Sequence, residues 1–212
     1  MGRRRYALER GGPKRLELRW RRGLRDFEVV LDGNAWRIVD REALDTGATL
    51  TPPDGSSLRV QRVRRRWWSI ALRNELLVER DGVAVPGSDG DPRVIARGAA
   101  GLVGLFGVLN LGFVGLSSVF TRGGGGPGML VALEGLVLCV LAALAALGRR
   151  LPIALAAGFL AVDTFLSVLV LGMTPNTAFG FTIRALVVVH LYRAWRRMRP
   201  VVRPAGVAAV FE

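Results

Sequence analysis

GAAGLVGLFGVLNLGFVGLSSVF, residues 98–120, carries no charged side chain and decides the architecture of the chain. A hydrocarbon core of about 30 Å is crossed by roughly 20 helical residues, so this stretch reads as a transmembrane helix. Three more follow: Met129 to Gly148, Leu151 to Leu171, and Pro175 to Trp195. The breaks between them are punctuated by Gly123 to Gly126 with Pro127, by Gly148-Arg149-Arg150 ahead of Pro152, and by Gly172 to Pro175. Such short connections make neighbouring helices antiparallel. The predicted module is an all-α four-helix transmembrane bundle.

Charge divides the 212 residues the same way. Residues 1–97 hold 35 of the 47 charged side chains, whereas the next 95 positions hold six: Arg122, Glu134, Arg149, Arg150, Asp163 and Arg184. One membrane face receives Arg93, Arg97, the Arg149/Arg150 turn, and Arg193, Arg196, Arg197, Arg199 and Arg203; the other receives Arg122 alone. The positive-inside rule therefore places both termini and the middle turn in the cytoplasm, with Tyr192 and Trp195 at the cytoplasmic interface. No apolar run stands behind Met1-Gly-Arg-Arg-Arg, so no cleaved signal peptide is expected. A single Lys, Lys14, among 30 basic residues points to a GC-rich bacterial genome, hence a bacterial plasma membrane.

The first 93 residues read as a cytoplasmic β domain with a basic N-terminal tail and a short linker. Leu16, Leu18 and Trp20 alternate with Glu17, Arg19 and Arg21, and Phe27, Val29 and Leu31 alternate with Glu28 and Val30. Period two of this kind marks half-buried strands. Asp32-Gly33-Asn34 and Asp81-Gly82 are hairpin turns, Pro52-Pro53-Asp54-Gly55 precedes Leu58 to Val60, and Asp40 to Leu44 invites one helical turn. The expected fold is a small all-β sandwich or barrel of about seven or eight strands. Pro86 to Arg93 is then an eight-residue linker reaching at most about 26–29 Å. Residues 200–212 form a cytoplasmic tail.

Leu31-Asp32-Gly33, Pro53-Asp54-Gly55-Ser56 and Arg80-Asp81-Gly82-Val83 ahead of a hydrophobic bundle resemble uncharacterised bacterial integral membrane proteins with an N-terminal β domain. The resemblance implies the architecture and no activity.

Within the bundle, Asp163 lies eight residues before the end of the third span and Arg184 nine residues after the start of the fourth. An antiparallel hairpin brings both about 12–14 Å below the outer surface. Either charge alone costs at least about 2.5–3.5 kcal/mol near the membrane centre, so they are expected to pair. Asn110 falls in the same layer and Glu134 about one turn nearer the outside. This intramembrane cluster is read first as a structural clamp between helices. The alternative is an ion pathway in an oligomer. Gly98, Gly101, Gly104, Gly107, Gly112 and Gly115 allow tight packing of the first span inside the bundle, or homo-oligomer formation through it.

Arg64, Arg65, Arg66, Trp67 and Trp68 form the densest basic and aromatic cluster of the soluble part. It suits an anionic leaflet or a partner. Nucleic acid is disfavoured, because the leaflet is already within reach. The other reading places one Trp in the core and the arginines on a solvated loop.

No catalytic residues are predicted. His190 lies at the opposite end of the bundle from Ser117 and Ser118, which rules out a Ser-His dyad between them. Cys139 is a lone cysteine in an apolar run, so neither a disulfide framework, a metal site nor a cofactor is expected. Gly123 to Gly126 follows no strand and has no Lys, unlike a phosphate loop. The function expected is that of a membrane-anchored binding or regulatory module recognising a protein or lipid at the inner leaflet; the alternative is an oligomeric channel or ion-coupled transporter using Asp163, Arg184 and Glu134.

Overall fold

A computed structural model describes residues 2–21, 24–63, 75–120, 127–171 and 175–198. The β domain consists of two antiparallel four-stranded sheets, each in sequential order. The first contains β1 (Gly2–Tyr6), β2 (Leu16–Arg21), β3 (Arg25–Leu31) and β4 (Asn34–Ile38). After the short helix α1 (Arg41–Thr46), the second contains β5 (Ala48–Leu50), β6 (Leu58–Val63), β7 (Glu75–Arg80) and β8 (Val83–Ala84).

The alternating residues do what their period predicts. Leu16, Leu18, Phe27, Val29 and Leu31 turn inward from the first sheet, and Leu58, Val60, Leu76 and Val78 from the second; with Leu44 of α1 they form one buried cluster. Trp20 stacks on Phe27 with ring centroids 6.0 Å apart. Both two-residue hairpin loops place their residues at positive φ, Asp32 at 50° with Gly33 at 87°, and Asp81 at 51° with Gly82 at 73°. That is the requirement of the turn type whose twist matches antiparallel strands. The Asp40 side chain caps α1 by accepting from the Glu42 amide at 2.8 Å.

One expectation about this domain needs correction. The basic N-terminal segment is not a tail: residues 2–6 pair in register with residues 16–20 as an edge strand. Arg3 and Arg5 both reach Glu17, Tyr6 is buried, and Gly2 passes beneath the Trp20 ring, where a Cβ would lie 2.2 Å from its Nε1. Pro86 to Arg93, expected as a short linker, is folded into a corner. The Ser88 amide bonds to the Val85 carbonyl, the Asp91 amide to Ser88, and the Ile95 amide to Asp91. The Asp91 carboxylate accepts from the Gly87 amide at 2.8 Å and the Arg93 amide at 2.9 Å. This hydrogen-bonded corner leads directly into a helix that begins at Pro92, a favoured first helical residue.

The helices are α2 (Pro92–Phe120), α3 (Pro127–Ala146), α4 (Leu151–Leu171) and α5 (Pro175–Arg197). The first spans 29 residues, about 43 Å at 1.5 Å per residue, and so exceeds a bilayer core by several residues. Segments of α2, α3 and α4 are long and apolar enough to cross a membrane. Helix α5, expected as a fourth span, does not reach that standard, since it carries Arg184, His190 and several polar residues near its start. The bundle is apolar outside, and its interior mixes alanines with large aliphatic residues such as Leu138, Ile153, Leu160 and Leu191. Phe113, Leu130, Leu133, Phe165 and Leu169 are exposed, whereas Ala96, Ala99, Ala145 and Ala156 are buried. Small interior residues let helix backbones approach, and large apolar ones facing outward suit lipid.

Candidate functional site

Two regions bring functional side chains together. One is the polar layer inside the bundle; the other is the junction between the β domain and the helix ends.

In the layer, Arg184 of α5 donates through Nη1 to the Asp163 carboxylate of α4. The same nitrogen lies 3.3 Å from the Ser167 hydroxyl, one helical turn beyond Asp163. Its Nη2 stands 4.0 Å from Oε1 of Glu134 on α3. Asn110 of α2 is a hydrogen-bond neighbour of the Glu134 side chain. Helices α3, α4 and α5 therefore meet at one guanidinium, and α2 joins them through Asn110 beside Glu134. Oε1 of Glu134 is buried and has no hydrogen bond. By contrast, the Thr164 and Thr182 hydroxyls bond to carbonyls of their own helices, at Leu160 and Ala178. The depth reasoning joined Asn110, Glu134, Asp163 and Arg184; it missed Ser167, whose signal was the four-residue spacing from Asp163 on a helix face.

Helices α2 and α3 meet at their glycines. A Cβ on Gly107 would lie 2.8 Å from the Gly135 carbonyl oxygen and 2.7 Å from Cys139 Sγ, so part of the glycine pattern serves packing inside the bundle. Gly98, Gly101, Gly112 and Gly115 have nothing within 4 Å of such a Cβ.

At the junction, Arg150 in the α3–α4 turn lies over the Trp195 ring, 4.3 Å from its centroid, and its Nε donates to the Trp195 carbonyl at 3.1 Å. One turn of α5 back, Tyr192 packs against Trp195. Arg197 then reaches the β domain, pairing with Glu75 at 2.9 Å. Asp89 in the corner accepts from Arg4 of β1 and from the Leu76 amide of β7, both at 2.8 Å. These contacts border a cleft of about 1170 Å³ between the β7–β8 hairpin, the 86–92 corner and the ends of α2 and α5. Glu9, Glu75, Glu79, Asp81, Asp89 and Asp91 line it, against Arg10, Arg80 and Arg197. Nothing in the local sequence announced this cleft, because it is made by segments far apart in the chain.

Arg64, Arg65, Arg66, Trp67 and Trp68 lie outside the described residues. Among the described residues, no three His, Cys, Asp or Glu side chains gather where they could hold a metal ion. His190 and the backbone of Ser117 and Ser118 occupy opposite ends of the bundle. No protein-family model matches the chain, and neither the curated proteins nor the solved structures provide a match.

Proposed function

We propose that this chain is a multi-pass protein of a bacterial plasma membrane whose cytoplasmic β domain recognises a partner protein at the membrane surface. In this reading the two sheets form a sandwich and α5 completes a bundle of four spans. The basic residues at the junction then lie on the cytoplasmic side. Helix α5 enters the membrane despite Arg184 because Asp163 neutralises the guanidinium.

The observation that carries the reading is the cleft at the junction, walled by both the β domain and the helix ends. Its lining holds six acidic residues against three arginines. An acidic wall next to an anionic leaflet disfavours a lipid headgroup and favours a basic protein segment. The tether contributes too: the hydrogen-bonded corner holds the domain at the bilayer, where a membrane partner passes.

The test uses the full chain in membranes. A photo-crosslinker at Val83, an exposed residue of the cleft, should yield a discrete protein adduct that disappears when Glu79→Arg and Asp81→Arg are combined. Adducts with lipid alone would defeat the reading. Topology is checked separately: Arg149→Cys should react with a membrane-impermeant thiol reagent only from the cytoplasmic side.

A second reading, an oligomeric conduit, draws on the polar layer. Its support is that the layer contains a buried carboxylate oxygen without a hydrogen bond.

A further inference from the structure

The polar layer does not balance. Among the described residues it holds one guanidinium, Arg184, and two carboxylates, Asp163 and Glu134. With both acids ionised the layer carries one uncompensated negative charge in the bundle, and such a charge is expelled, neutralised or matched by a counter-ion.

The geometry distinguishes the two acids. Asp163 receives the direct hydrogen bond from Arg184 Nη1. Glu134 receives no donor at Oε1, which is buried 4.0 Å from Nη2. The groups facing it are few. Asn110 comes from α2, Asp163 from α4, and Arg184 from α5. Cys139 lies on its own helix, and His190 is six residues beyond Arg184, about 9 Å along α5. Among the described residues only the guanidinium is a cation at contact range, and Asp163 already holds it.

We propose that Glu134 is a proton-binding site: its carboxylate takes up one proton, and the neutral acid completes the layer with Asn110 and the Asp163–Arg184 pair. The balance is simple, one carboxylate plus one proton giving one carboxylic acid. A metal cation is a poor substitute. Sodium needs several oxygen ligands at once and would sit against the Arg184 guanidinium, which repels it. A proton needs one oxygen. The neutral acid also has an acceptor available, because the Asn110 amide offers a carbonyl oxygen as well as its donors. The site lies toward the far end of the bundle from the β domain. The proposal rests on the four-span reading; impermeant labelling at Arg149→Cys decides topology independently.

Infrared difference spectroscopy of the full chain in lipid nanodiscs tests it. The protein with carbon-13-labelled glutamate should show one protonated glutamic acid carbonyl band at neutral pH, lost on alkalinisation and unaffected by exchanging sodium for potassium. The band should vanish in Glu134→Gln. It should vanish also in Asp163→Asn, where the freed guanidinium turns to Glu134. Because a protonated glutamate and a glutamine are nearly isosteric and both neutral, Glu134→Gln should leave the unfolding equilibrium within about twofold of the parent. Absence of the band in correctly inserted protein overturns the proposal. So does a band that survives Glu134→Gln, or one that sodium abolishes at constant pH.

Discussion

Gly107 and Gly135 face each other so closely that a Cβ on either would lie 2.8 Å from the other's carbonyl oxygen. This reciprocal contact is the point at which α2 and α3 touch backbone to backbone. Association of helices in lipid depends on such packing, because apolar surface gains little by leaving lipid for protein. Gly107→Val should therefore destabilise the bundle by roughly 1–3 kcal/mol, the usual cost of overpacking. Gly112→Val, whose Cβ position has nothing within 4 Å, should cost far less. Thermal unfolding of both variants in the same detergent separates them; equal losses would show that the contact is not specific.

The Asp163–Arg184 pair makes a different prediction. Arg184→Ala leaves the described layer without a cation and should cost about 2.5–3.5 kcal/mol, whereas Asp163→Ala should cost less, because the freed guanidinium turns to Glu134 4.0 Å away. Exchanging the two charges should restore part of that loss, since opposite signs again meet across α4 and α5. A clamp shows this rescue in stability. A double-mutant cycle in detergent or nanodiscs measures it, and strictly additive losses would mean that the pair does not act as a unit.

These two relationships were not equally legible. The meeting of Asp163 and Arg184 followed from counting residues along antiparallel helices, which needs only a rise per residue. The Gly107–Gly135 contact required knowing how α2 and α3 rotate about their axes, information that a run of glycines with exposed and packed members does not contain. In the β domain, Leu16 to Trp20 and Phe27 to Leu31 showed their period because one face of each is buried. The strand at residues 2–6 did not, because Gly-Arg-Arg-Arg-Tyr has one apolar side chain and owes its place to Glu17 and Trp20 of the neighbouring strand. Pro86-Gly-Ser-Asp-Gly-Asp-Pro92 reads as a short linker by composition. It is ordered because the Asp91 carboxylate bonds back to Gly87 and forward to Arg93. The acidic cleft needs the tertiary fold to exist at all.

Arg62 of β6 provides a test inside the β domain. Its side chain is 2% exposed and grips the Asp45 carboxylate through Nε and Nη2, both at 2.5 Å. Asp45→Ala would leave a buried guanidinium unpaired and should cost about 3 kcal/mol. The double variant Arg62→Met, Asp45→Ala should be milder, because neither charge remains to be solvated. Chemical unfolding followed by near-ultraviolet circular dichroism reads the difference. If the double variant is no better than Asp45→Ala alone, the cost lies in packing and not in the stranded charge.

Acid should loosen the first sheet before it affects the second half of the chain. Arg19 and Arg5 hydrogen-bond the Glu17 carboxylate and hold its pKa below the ordinary 4.5. Arg37 does the same for Asp26, ordinarily 3.8. A carboxylate whose folded pKa is depressed stabilises the fold at pH values above its unfolded pKa, and that contribution fades as pH falls through the folded value. Stability of the sheet should thus be flat near neutrality and decline as pH drops below about 4.5. Glu17 bridges three arginines, Arg3 and Arg5 on β1 and Arg19 on its own strand, so its protonation should free the edge strand first. Hydrogen exchange resolved by peptide should show protection of residues 2–6 lost at a higher pH than that of residues 25–31. In Glu17→Gln the early loss should be present already at neutral pH, with little further change on acidification. Retention of edge-strand protection in that variant would mean that backbone pairing alone, without the arginine bridge, holds β1 in place.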